Sequence, residues 1–325
     1  MLVVNAGSET LKLSLVDEGG RTEPVNEFVA ADAVGHRIVH GGERFRDPVL
    51  VDDEVERAIE ELTPIAPLHN APALAALRDA RRELPDVPHV AVFDTAFHAT
   101  IPDEAAVYAV PREWGIRRFG FHGLSVRWAA ERTPVPRLVV CHLGGGSSVS
   151  AVLDGRSVDT TMGFTPLEGV PMTTRSGSVD PGALLYLLRE RGLTVDELDR
   201  ALNLESGLAA LSATSGDIRE VERAGARLAL DVYAHRIAAS VAAMTPSLGG
   251  LDALVFTAGV GERAPGVRAA VCERLAFLGV RLDPELNSAA VPDADVSAAD
   301  SAIRVAVVGA REDLVIAREV RRLVR

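Results

Sequence analysis

The sequence predicts an α/β protein with two lobes, and three observations support this prediction. The chain has 325 residues, which is long for one hydrophobic core and sufficient for two. Strand-like apolar segments alternate along it with helix-like segments rich in Ala and Leu. A strand–turn–strand unit near the start also recurs in the middle of the chain. We therefore expect a duplicated α/β fold.

The repeated unit is a β-hairpin with a polar, glycine-containing turn. In the first copy, the strand Leu2–Val4 leads through such a turn into a second, alternating strand. In the second copy, Leu138–Cys141 leads through a glycine-rich turn into Val149–Leu153. An offset of 137 residues, which carries Gly7 onto Gly144, aligns the two turns. The match is short, so it indicates duplication only together with the fold class.

Other segments fill in the α/β pattern. A third apolar strand, Leu254–Phe256, runs into a glycine turn at residues 257–262, whose spacing fits neither a Walker loop nor a dinucleotide fingerprint. The run Ala289–Ser301 is rich in Ala, Asp and Ser and predicts a surface connection. Helices are expected at Asp53–Leu62, Ala73–Leu84, Gly182–Arg191 and Ile218–Ala243.

Composition excludes several classes of protein. Hydrophobic residues make up 47% of the chain and charged residues 25%, and no stretch approaches the roughly 20 apolar residues of a membrane span. With 34 basic and 46 acidic residues the net charge is −12, which disfavours nucleic-acid and anionic-membrane partners. Met1–Asp17 resembles no secretory signal, and Cys141 and Cys272 suit buried free thiols. We expect a cytoplasmic protein.

Two turns have the chemistry of phosphate sites. Residues 5–12 combine backbone N–H groups and hydroxyls with Lys12, the single lysine in a chain whose other basic residues are arginines. In residues 144–148, three glycines allow close approach of the backbone to a polyphosphate. Taken alone, each segment fits a plain hairpin turn equally well.

Histidines, one aspartate and one arginine mark further candidate positions. Asp94 follows the apolar strand Val90–Phe93, where ligands of open α/β sheets gather, although a helix-capping role is an alternative. Arg175 lies in a loop of small residues that can enclose an anion, or it is simply solvated. Zinc is disfavoured because the histidines lack short paired spacing. Six of eight histidines lie in loop-like segments: His36, His40, His69, His98, His122 and His142.

Taken together, these segments resemble the acetate kinase family, in which we include propionate and butyrate kinases, over essentially the whole chain. The motifs that carry the resemblance occur in the family's order: Asn5-Ala6-Gly7-Ser8, His36-Arg37-Ile38-Val39-His40-Gly41-Gly42-Glu43, Ala66-Pro67-Leu68-His69-Asn70, Val92-Phe93-Asp94-Thr95-Ala96-Phe97-His98, Phe119-Gly120-Phe121-His122-Gly123, His142-Leu143-Gly144, Met162-Gly163-Phe164-Thr165-Pro166-Leu167-Glu168-Gly169, Thr174-Arg175-Ser176-Gly177 and Glu312-Asp313-Leu314-Val315-Ile316-Ala317.

The resemblance implies a specific architecture. Two duplicated actin-like domains, of the sugar-kinase, Hsp70 and actin superfamily with its RNase H-like fold, would flank a nucleotide cleft. The first domain, shortened here, would comprise residues 1–95 and 313–325, and the second residues 96–312. A homodimer formed through the second domain is also implied, in keeping with the prevalence of twofold oligomers.

The resemblance also implies an activity. We expect Mg²⁺-dependent, reversible phosphoryl transfer between ATP and acetate, or a similar short carboxylate such as propionate, giving acetyl phosphate and ADP; Mn²⁺ is an alternative metal. The metal would be held by Asn5 and Glu312. Catalytic roles would fall to Arg37, Asp94, His122, Arg175 and Lys12. The carboxylate would be bound by Arg37, Val39, Leu68, His69, Phe121 and Pro166. The nucleotide would be bound by Ser8, Thr10, Lys12, His142, Leu143, Gly144, Gly145, Gly146, Asp217, Ile218, Arg219, Gly259, Val260, Gly261, Glu262 and Arg263.

Asp94 could serve either as a base or as a group that orients its neighbours. A carboxylic acid with a pKa of about 4 is already ionised at neutral pH, so phosphoryl transfer to it requires no strong base. We therefore expect Asp94 to orient Arg37 or a Mg²⁺-bound water rather than to accept a proton.

Several positions depart from the family's pattern. Gly145 replaces an Asn, Leu124 and Val126 replace a Thr and a His, and Glu9 adds a negative charge to the first turn. The stretch from Asp17 to Gly35 is also much shorter than in family members. These departures support an alternative hypothesis, a non-catalytic nucleotide-binding regulatory protein of the same fold. The retained arginines favour catalysis, and the preferred acid stays open.

Overall fold

The computed structural model describes residues 1–6 and 11–324, except for the side chain of Pro67, and forms two compact units. The first unit comprises Met1–Thr100, Phe119–Trp128 and Arg311–Arg325, and the second comprises Ile101–Arg118 and Ala129–Ala310. The predicted domain boundaries differ from these units at residues 96–100, 119–128 and 311–312, and they stay a prediction.

Each unit contains one six-stranded mixed sheet. The first sheet consists of β1 (Leu2–Ala6), β2 (Leu11–Val16), β3 (Thr22–Val25), β4 (Val34–Ile38), β5 (Val49–Leu50) and β6 (His89–Phe93), in the order β3-β2-β1-β4-β6-β5. The second consists of β7 (Arg137–Leu143), β8 (Ser147–Leu153), β9 (Arg156–Thr160), β10 (Ala253–Thr257), β11 (Ala294–Asp295) and β12 (Arg304–Val307), in the order β11-β12-β10-β7-β8-β9.

The helices are α1 (Asp53–Glu61), α2 (Pro67–Glu83), α3 (Asp103–Ala106), α4 (Gly123–Arg132), α5 (Pro181–Glu190), α6 (Val195–Leu204), α7 (Gly207–Ser212), α8 (Ile218–Arg223), α9 (Arg227–Leu248), α10 (Ala258–Arg263), α11 (Pro265–Arg274), α12 (Pro284–Ala289) and α13 (Glu312–Val324). Short 3₁₀ helices occur at Thr63–Ile65, Ala96–Thr100, Arg112–Trp114 and Ala276–Leu278.

The two sheets repeat one topology. In each, the first three strands form an antiparallel meander, the first strand pairs in parallel with the fourth, the fourth pairs in parallel with the sixth, and the short fifth strand closes the edge in antiparallel orientation. The predicted duplicated α/β fold is therefore confirmed, including the hairpins β1–β2 and β7–β8 from which it was inferred.

Alternation along the strands explains the core of the first unit. Successive side chains of a strand point to opposite faces of the sheet. Leu2 and Val4 accordingly pack into one cluster with Leu77 of α2, whereas Val3 packs into another with Val315 of α13. In the second unit, the long helix α9 contributes buried side chains to a cluster with the sheet. Apolar burial on both faces fixes the strand ends at which the site residues lie.

Some predicted elements were wrong in detail. The helix predicted over Ile218–Ala243 is interrupted between α8 and α9, where Gly225 adopts a left-handed conformation with φ of +63°. The predicted glycine turn at 257–262 is largely helix α10. The predicted connection Ala289–Ser301 contains β11, which pairs with β12 at the sheet edge.

No helix in residues 1–6 and 11–324 combines the length and apolar character required to cross a membrane. Cys141 and Cys272 are buried free cysteines, as expected.

A buried histidine pair joins two strands of the first sheet. Nε2 of His36 in β4 lies 2.9 Å from Nδ1 of His89 in β6, and Nε2 of His89 lies 2.9 Å from the carbonyl oxygen of Leu84. A carbonyl only accepts, so His89 donates from Nε2, accepts at Nδ1, and receives the Nε2–H of His36. Burial, with nearby His89 and Arg81, lowers the pKa of His36 to about 3.

His36 should therefore lower the free energy of unfolding at mildly acidic pH. The unfolded histidine binds a proton below about pH 6.5, whereas the folded one stays neutral down to a pKa of about 3. Stability from this group is present above pH 6.5 and falls by about 1.4 kcal/mol per pH unit below it. Denaturant unfolding at about pH 7 and about pH 5 should show the wild type losing about 2 kcal/mol more than His36→Gln, which keeps an amide donor. Equal losses in both proteins would contradict this assignment.

Candidate functional site

Three predicted site residues lie at the carboxyl ends of the parallel strands in the first unit. Asn5 of β1 and Arg37 of β4 are register partners, and Asp94 directly follows β6 and donates its N–H to the Ile38 carbonyl at 3.0 Å. Glu312, the first residue of α13, joins them. Ligands of open α/β sheets bind at this edge.

These four residues form the Arg37 cluster, defined as Asn5, Arg37, Asp94 and Glu312. Arg37 donates from Nε to both Asp94 oxygens at 3.1 Å and from Nη2 to Oδ2 at 2.6 Å. Its Nη1 donates to Asn5 Oδ1 at 3.1 Å and lies 3.7 Å from Glu312 Oε2. Asn5 Nδ2 in turn donates to Glu312 Oε2 at 3.0 Å. Each side chain therefore restrains another.

Burial sets the electrostatics of this cluster. The Arg37 side chain is 13% exposed and that of Asp94 is fully buried. Burial raises the pKa of the Asp94 carboxyl, and the Arg37 guanidinium opposes this rise. Burial also disfavours the charged guanidinium, but the negative charges of Asp94 and Glu312 outweigh this effect of burial. The pKa of Arg37 is therefore raised. A desolvated ion pair of this kind depends on both partners, because removal of one leaves a buried charge uncompensated.

The cluster has the donor chemistry of a magnesium site. Asn5 and Glu312, the predicted metal ligands, supply an amide oxygen and carboxylate oxygens, the ligand type that Mg²⁺ prefers, whereas both Asp94 oxygens accept from Arg37. In residues 1–6 and 11–324, no group of three or more His, Cys, Asp or Glu side chains is placed to hold a metal. A cation that keeps several waters and takes few protein ligands fits this set.

Lys12 lies beside the cluster on the sheet. It is the register partner of Asn5 across the β1–β2 pair, so both side chains emerge on one face, and Lys12 is exposed. Ser8 and Thr10, predicted to contact phosphates, lie outside the described residues.

His122 adopts a backbone conformation that is uncommon for a residue with a side chain. Its φ is +59°, in the left-handed region, and its N–H donates to the Asp94 carboxylate. The next residue must be glycine, because a Cβ on Gly123 would lie 2.0 Å from the Asp94 carbonyl oxygen. Strained residues of this kind cluster at functional sites, where the surrounding structure holds them in place.

Three buried residues support this turn and the neighbouring loop, and of these only His98 was among the predicted candidates. His98, which burial keeps neutral by lowering its pKa to about 4, donates from Nε2 to the Phe121 carbonyl at 2.9 Å. Asn70 bonds both backbone groups of His40, and Thr95 Oγ1 accepts from Gly41 N–H at 3.0 Å. All three lie inside motifs quoted above, and the burial of Asn70 and Thr95 was the missing information.

The predicted carboxylate-binding residues differ in exposure. Val39 and Phe121 are buried in the first unit, whereas Leu68 on α2 is 42% exposed and His69 is half-buried. Pro166 belongs to the second unit, and its carbonyl accepts a hydrogen bond from Arg175 Nη1 at 2.8 Å.

In the second unit, the glycine turn connects β7 to β8. His142 and Leu143 end β7, and Gly144 N–H donates to the Gly146 carbonyl at 2.9 Å. Ser147 Oγ lies 3.0 Å from the Tyr233 hydroxyl of α9, which fixes the far side of the turn. A Cβ added to Gly145 would meet no atom within 4 Å.

Helix α10 contains the predicted residues Gly259–Arg263 and starts beside this turn. Thr257 and His142 are register partners at the ends of β10 and β7. The carbonyls of Gly261 and Glu262 each accept from Nη1 of Arg268 at 2.9 Å. Arg268 is 1% exposed and was not predicted. Its place beside Val267 and Val271 on the buried face of α11 was the available indication.

The third predicted nucleotide segment is Asp217–Arg219. It is joined to the glycine turn through Thr173, which lies two residues before Arg175. Thr173 N–H donates to the Gly145 carbonyl at 3.4 Å, and Gly216 approaches the Thr173 carbonyl so closely that a Cβ there would lie 2.4 Å from it. Asp217 caps α8 and pairs with Arg219, which lowers the Asp217 pKa to about 2. Ile218, the first residue of α8, is buried.

Comparison with known proteins gives a consistent result. A family model described as the acetokinase family matches residues 25–318. An acetate kinase from Gloeobacter violaceus (strain ATCC 29082 / PCC 7421) is 51% identical over 318 residues, covering 92% of this chain and 78% of the relative. One from Trichormus variabilis (strain ATCC 29413 / PCC 7937) is 44% identical over an alignment of 348 positions, covering 98% of this chain and 86% of the relative. In both comparisons the alignment covers less of the relative than of this chain. This agrees with the prediction that this chain is a shortened member of the family.

Solved structures agree. A propionate kinase from Francisella tularensis subsp. tularensis SCHU S4 has a TM-score of 0.90 at 32% identity, covering 98% of both chains. The Porphyromonas gingivalis acetate kinase has a TM-score of 0.86 at 32% identity, covering 100% of this chain and 99% of its own.

Restoring an amide at position 145 should strengthen nucleotide binding. The space beside Gly145 accommodates a side chain without a clash, so Gly145→Asn should add a donor for phosphate. One added hydrogen bond should lower the Kd for ATP by about 2- to 10-fold in isothermal titration calorimetry. Gly155→Asn is the control: it lies in the open turn between β8 and β9, where φ is +77°, a left-handed conformation that asparagine tolerates better than other side chains. An unchanged or weaker affinity for Gly145→Asn would count against this turn as a phosphate site.

Proposed function

The chain belongs to the acetokinase family, and we propose that it catalyses reversible phosphoryl transfer between ATP and acetate, or a similar short carboxylate such as propionate, giving acetyl phosphate and ADP. It is a phosphotransferase with a carboxyl group as acceptor. ATP and ADP are its nucleotide co-substrates, and the two buried free thiols suit a cytoplasmic location.

The Arg37 cluster is the observation that carries this function. Asp94 and Asn5 occupy three of the five guanidinium N–H donors of Arg37, which leaves two for an anionic substrate. Phosphoryl transfer needs positioning and charge neutralisation rather than covalent help. Asp94 accepts hydrogen bonds through both oxygens and orients Arg37 and the His122 backbone. In this role it does not have to accept a proton.

Asn5 and Glu312 are proposed to hold Mg²⁺, with Mn²⁺ as an alternative. One positive charge on Arg37 and two negative charges on Asp94 and Glu312 leave the cluster with a net charge of −1, which suits a divalent cation. When bound, the ion neutralises charge on phosphate oxygens. Lys12 adds a flexible cation on the same face of the sheet.

In the second unit, nucleotide binding is proposed for the glycine turn, helix α10 and the Asp217–Arg219 segment, through backbone N–H groups and Arg219. Arg175 provides a second guanidinium for the transferring phosphoryl group, directed by the Pro166 carbonyl. His122 stabilises the transition state, and the apolar residues Val39, Leu68, Phe121 and Pro166, together with His69, bind the acid. The choice between acetate and propionate rests on about 1–3 kcal/mol per methylene.

Acid-dependent acyl phosphate should form in a hydroxamate trap with MgATP and acetate or propionate, compared with butyrate and no acid. Arg175→Ala should lower kcat/KM at least about 100-fold, because transition-state charge loses a fixed donor. Arg156→Ala removes an exposed arginine of the same unit and should change kcat/KM little. ATP binding without product from any acid would instead favour the nucleotide-binding regulator.

A homodimer through the second unit is proposed from helix α5. None of its ten residues is buried, although it contains four leucines and a tyrosine; Leu185 is 47% and Tyr186 is 52% exposed. A helix with this much uncovered apolar surface normally marks an interface. A second copy of the chain, related by a twofold axis, would cover it.

Leu185→Asp should therefore convert a dimer into a monomer, because the charge would be buried without a partner. Light scattering coupled to size-exclusion chromatography measures the mass. Leu228→Asp introduces the same charge at another exposed leucine of the second unit and should remain dimeric. A monomeric wild type, or a dimer unaffected by Leu185→Asp, would reject this interface.

A further inference from the structure

A polar cluster in the second unit has no role in the function described so far. It consists of Tyr108, Arg118 and Glu168, called here the Tyr108 cluster. Backbone pairing brings Tyr108 and Arg118 together: Arg118 N–H donates to the Ala106 carbonyl at 2.7 Å, and the Arg118 guanidinium lies 5.6 Å from the centre of the Tyr108 ring. Glu168 belongs to the loop at residues 163–169.

The Tyr108 cluster bonds both ends of that loop. Arg118 Nη1 donates to the carbonyls of Thr161 and Met162 at 2.9 and 3.1 Å, and Nη2 donates to Glu168 Oε1 at 3.0 Å. The Tyr108 hydroxyl donates to Glu168 Oε2 and accepts from the Phe164 N–H at 3.1 Å. Together these bonds hold the backbone on either side of Pro166.

Space around the loop is correspondingly tight. A Cβ added to Gly163 would lie 1.7 Å from Glu168 Oε2 and 2.1 Å from the Tyr108 hydroxyl oxygen, so the hydroxyl and carboxylate fill the place of a side chain. Gly169, with φ of +113°, closes the loop, and its carbonyl accepts from Ser178 N–H at 2.8 Å. Few alternative loop conformations keep these contacts.

The loop in turn directs Arg175. The Pro166 carbonyl, at the middle of the loop, accepts from Arg175 Nη1 at 2.8 Å. The backbone of Arg175 is held separately, since its carbonyl accepts from Met172 N–H at 3.0 Å. The direction of the guanidinium therefore depends on where Pro166 lies.

We propose that Tyr108, Arg118 and Glu168 are positioning residues for phosphoryl transfer, which fix the Pro166 carbonyl and through it the guanidinium of Arg175. The proposal rests on the proposed function of Arg175. The side chains of Arg118 and Glu168 are 16% and 35% exposed, so the cluster lies at the surface of the core rather than inside it. A small displacement of a substrate-positioning group lowers the rate steeply.

Tyr108→Phe tests the proposal, because it removes one hydroxyl and leaves the ring under Arg118. We expect kcat/KM for the carboxylate to fall roughly 10-fold, as for loss of a hydrogen bond to a charged group, with KM for ATP unchanged. Glu168→Gln, which keeps the shape and loses the charge, should act in the same direction. Glu273→Gln makes the same change as Glu168→Gln at an exposed glutamate of the second unit and should match the wild type.

A double-mutant cycle separates positioning from general destabilisation. In an Arg175→Ala background, Tyr108→Phe should cost less than about 2-fold, because the group that it positions is already absent. An equal loss in both backgrounds, or no loss in the wild type, overturns the proposal. If thermal melting shows that Tyr108→Phe is unfolded at the assay temperature, the same cycle with Glu168→Gln decides.

A crystal structure of the Tyr108→Phe variant provides a readout that does not need activity. We expect the distance between Arg175 Nη1 and the Pro166 oxygen to exceed the hydrogen-bond limit of about 3.5 Å; an unchanged distance overturns the proposal. A wild type that makes no acyl phosphate from any acid would overturn the proposed function instead, and the structural comparison would still decide whether these residues position Arg175.

Discussion

The buried ion pair between Arg37 and Asp94 is the interaction on which the first unit's site depends. A guanidinium that is only 13% exposed needs a carboxylate and further acceptors, since the cost of desolvation otherwise exceeds the attraction. Asp94 and Asn5 meet this need from the ends of adjacent strands, and Glu312 adds charge from α13. The need to compensate the charge of Arg37 therefore links the register of β1 and β4, the placement of α13 and the chemistry of the site.

The duplicated fold serves two different kinds of chemistry. Both units share the strand order and the initial hairpin. In the first unit the strands end in charged side chains that bond to each other, whereas the first hairpin of the second ends in three glycines whose backbone is exposed to a ligand. A common strand order thus carries interacting side chains at the strand ends of one copy and a glycine turn in the other, the two kinds of group proposed here to bind the substrates.

Much of this arrangement could be predicted from the sequence, and the limits have physical causes. Alternating and apolar strands predict the hairpins and the position of Asp94, because periodicity reports burial. The break at Gly225 was missed, since the Arg and Glu residues before it and the Ala and Leu residues after it all favour helix. Arg268 and the Tyr108 cluster were missed for another reason. Their partners are mostly backbone carbonyls or a single carboxylate, which no residue type identifies, so the apolar face of α11 around Arg268 was the one indication.

A chain with a net charge of −12 must bind anions through local positive charge. Arg268 is a positive charge whose hydrogen-bond acceptors carry no negative charge. Its hydrogen bonds go to carbonyl oxygens of Gly261 and Glu262 and to the side-chain and backbone oxygens of Asn287, all neutral acceptors. Burial lowers the pKa of Arg268, yet a guanidinium stays protonated in proteins. Its charge is therefore not cancelled by these partners, and it lies against the helix proposed to bind the nucleotide.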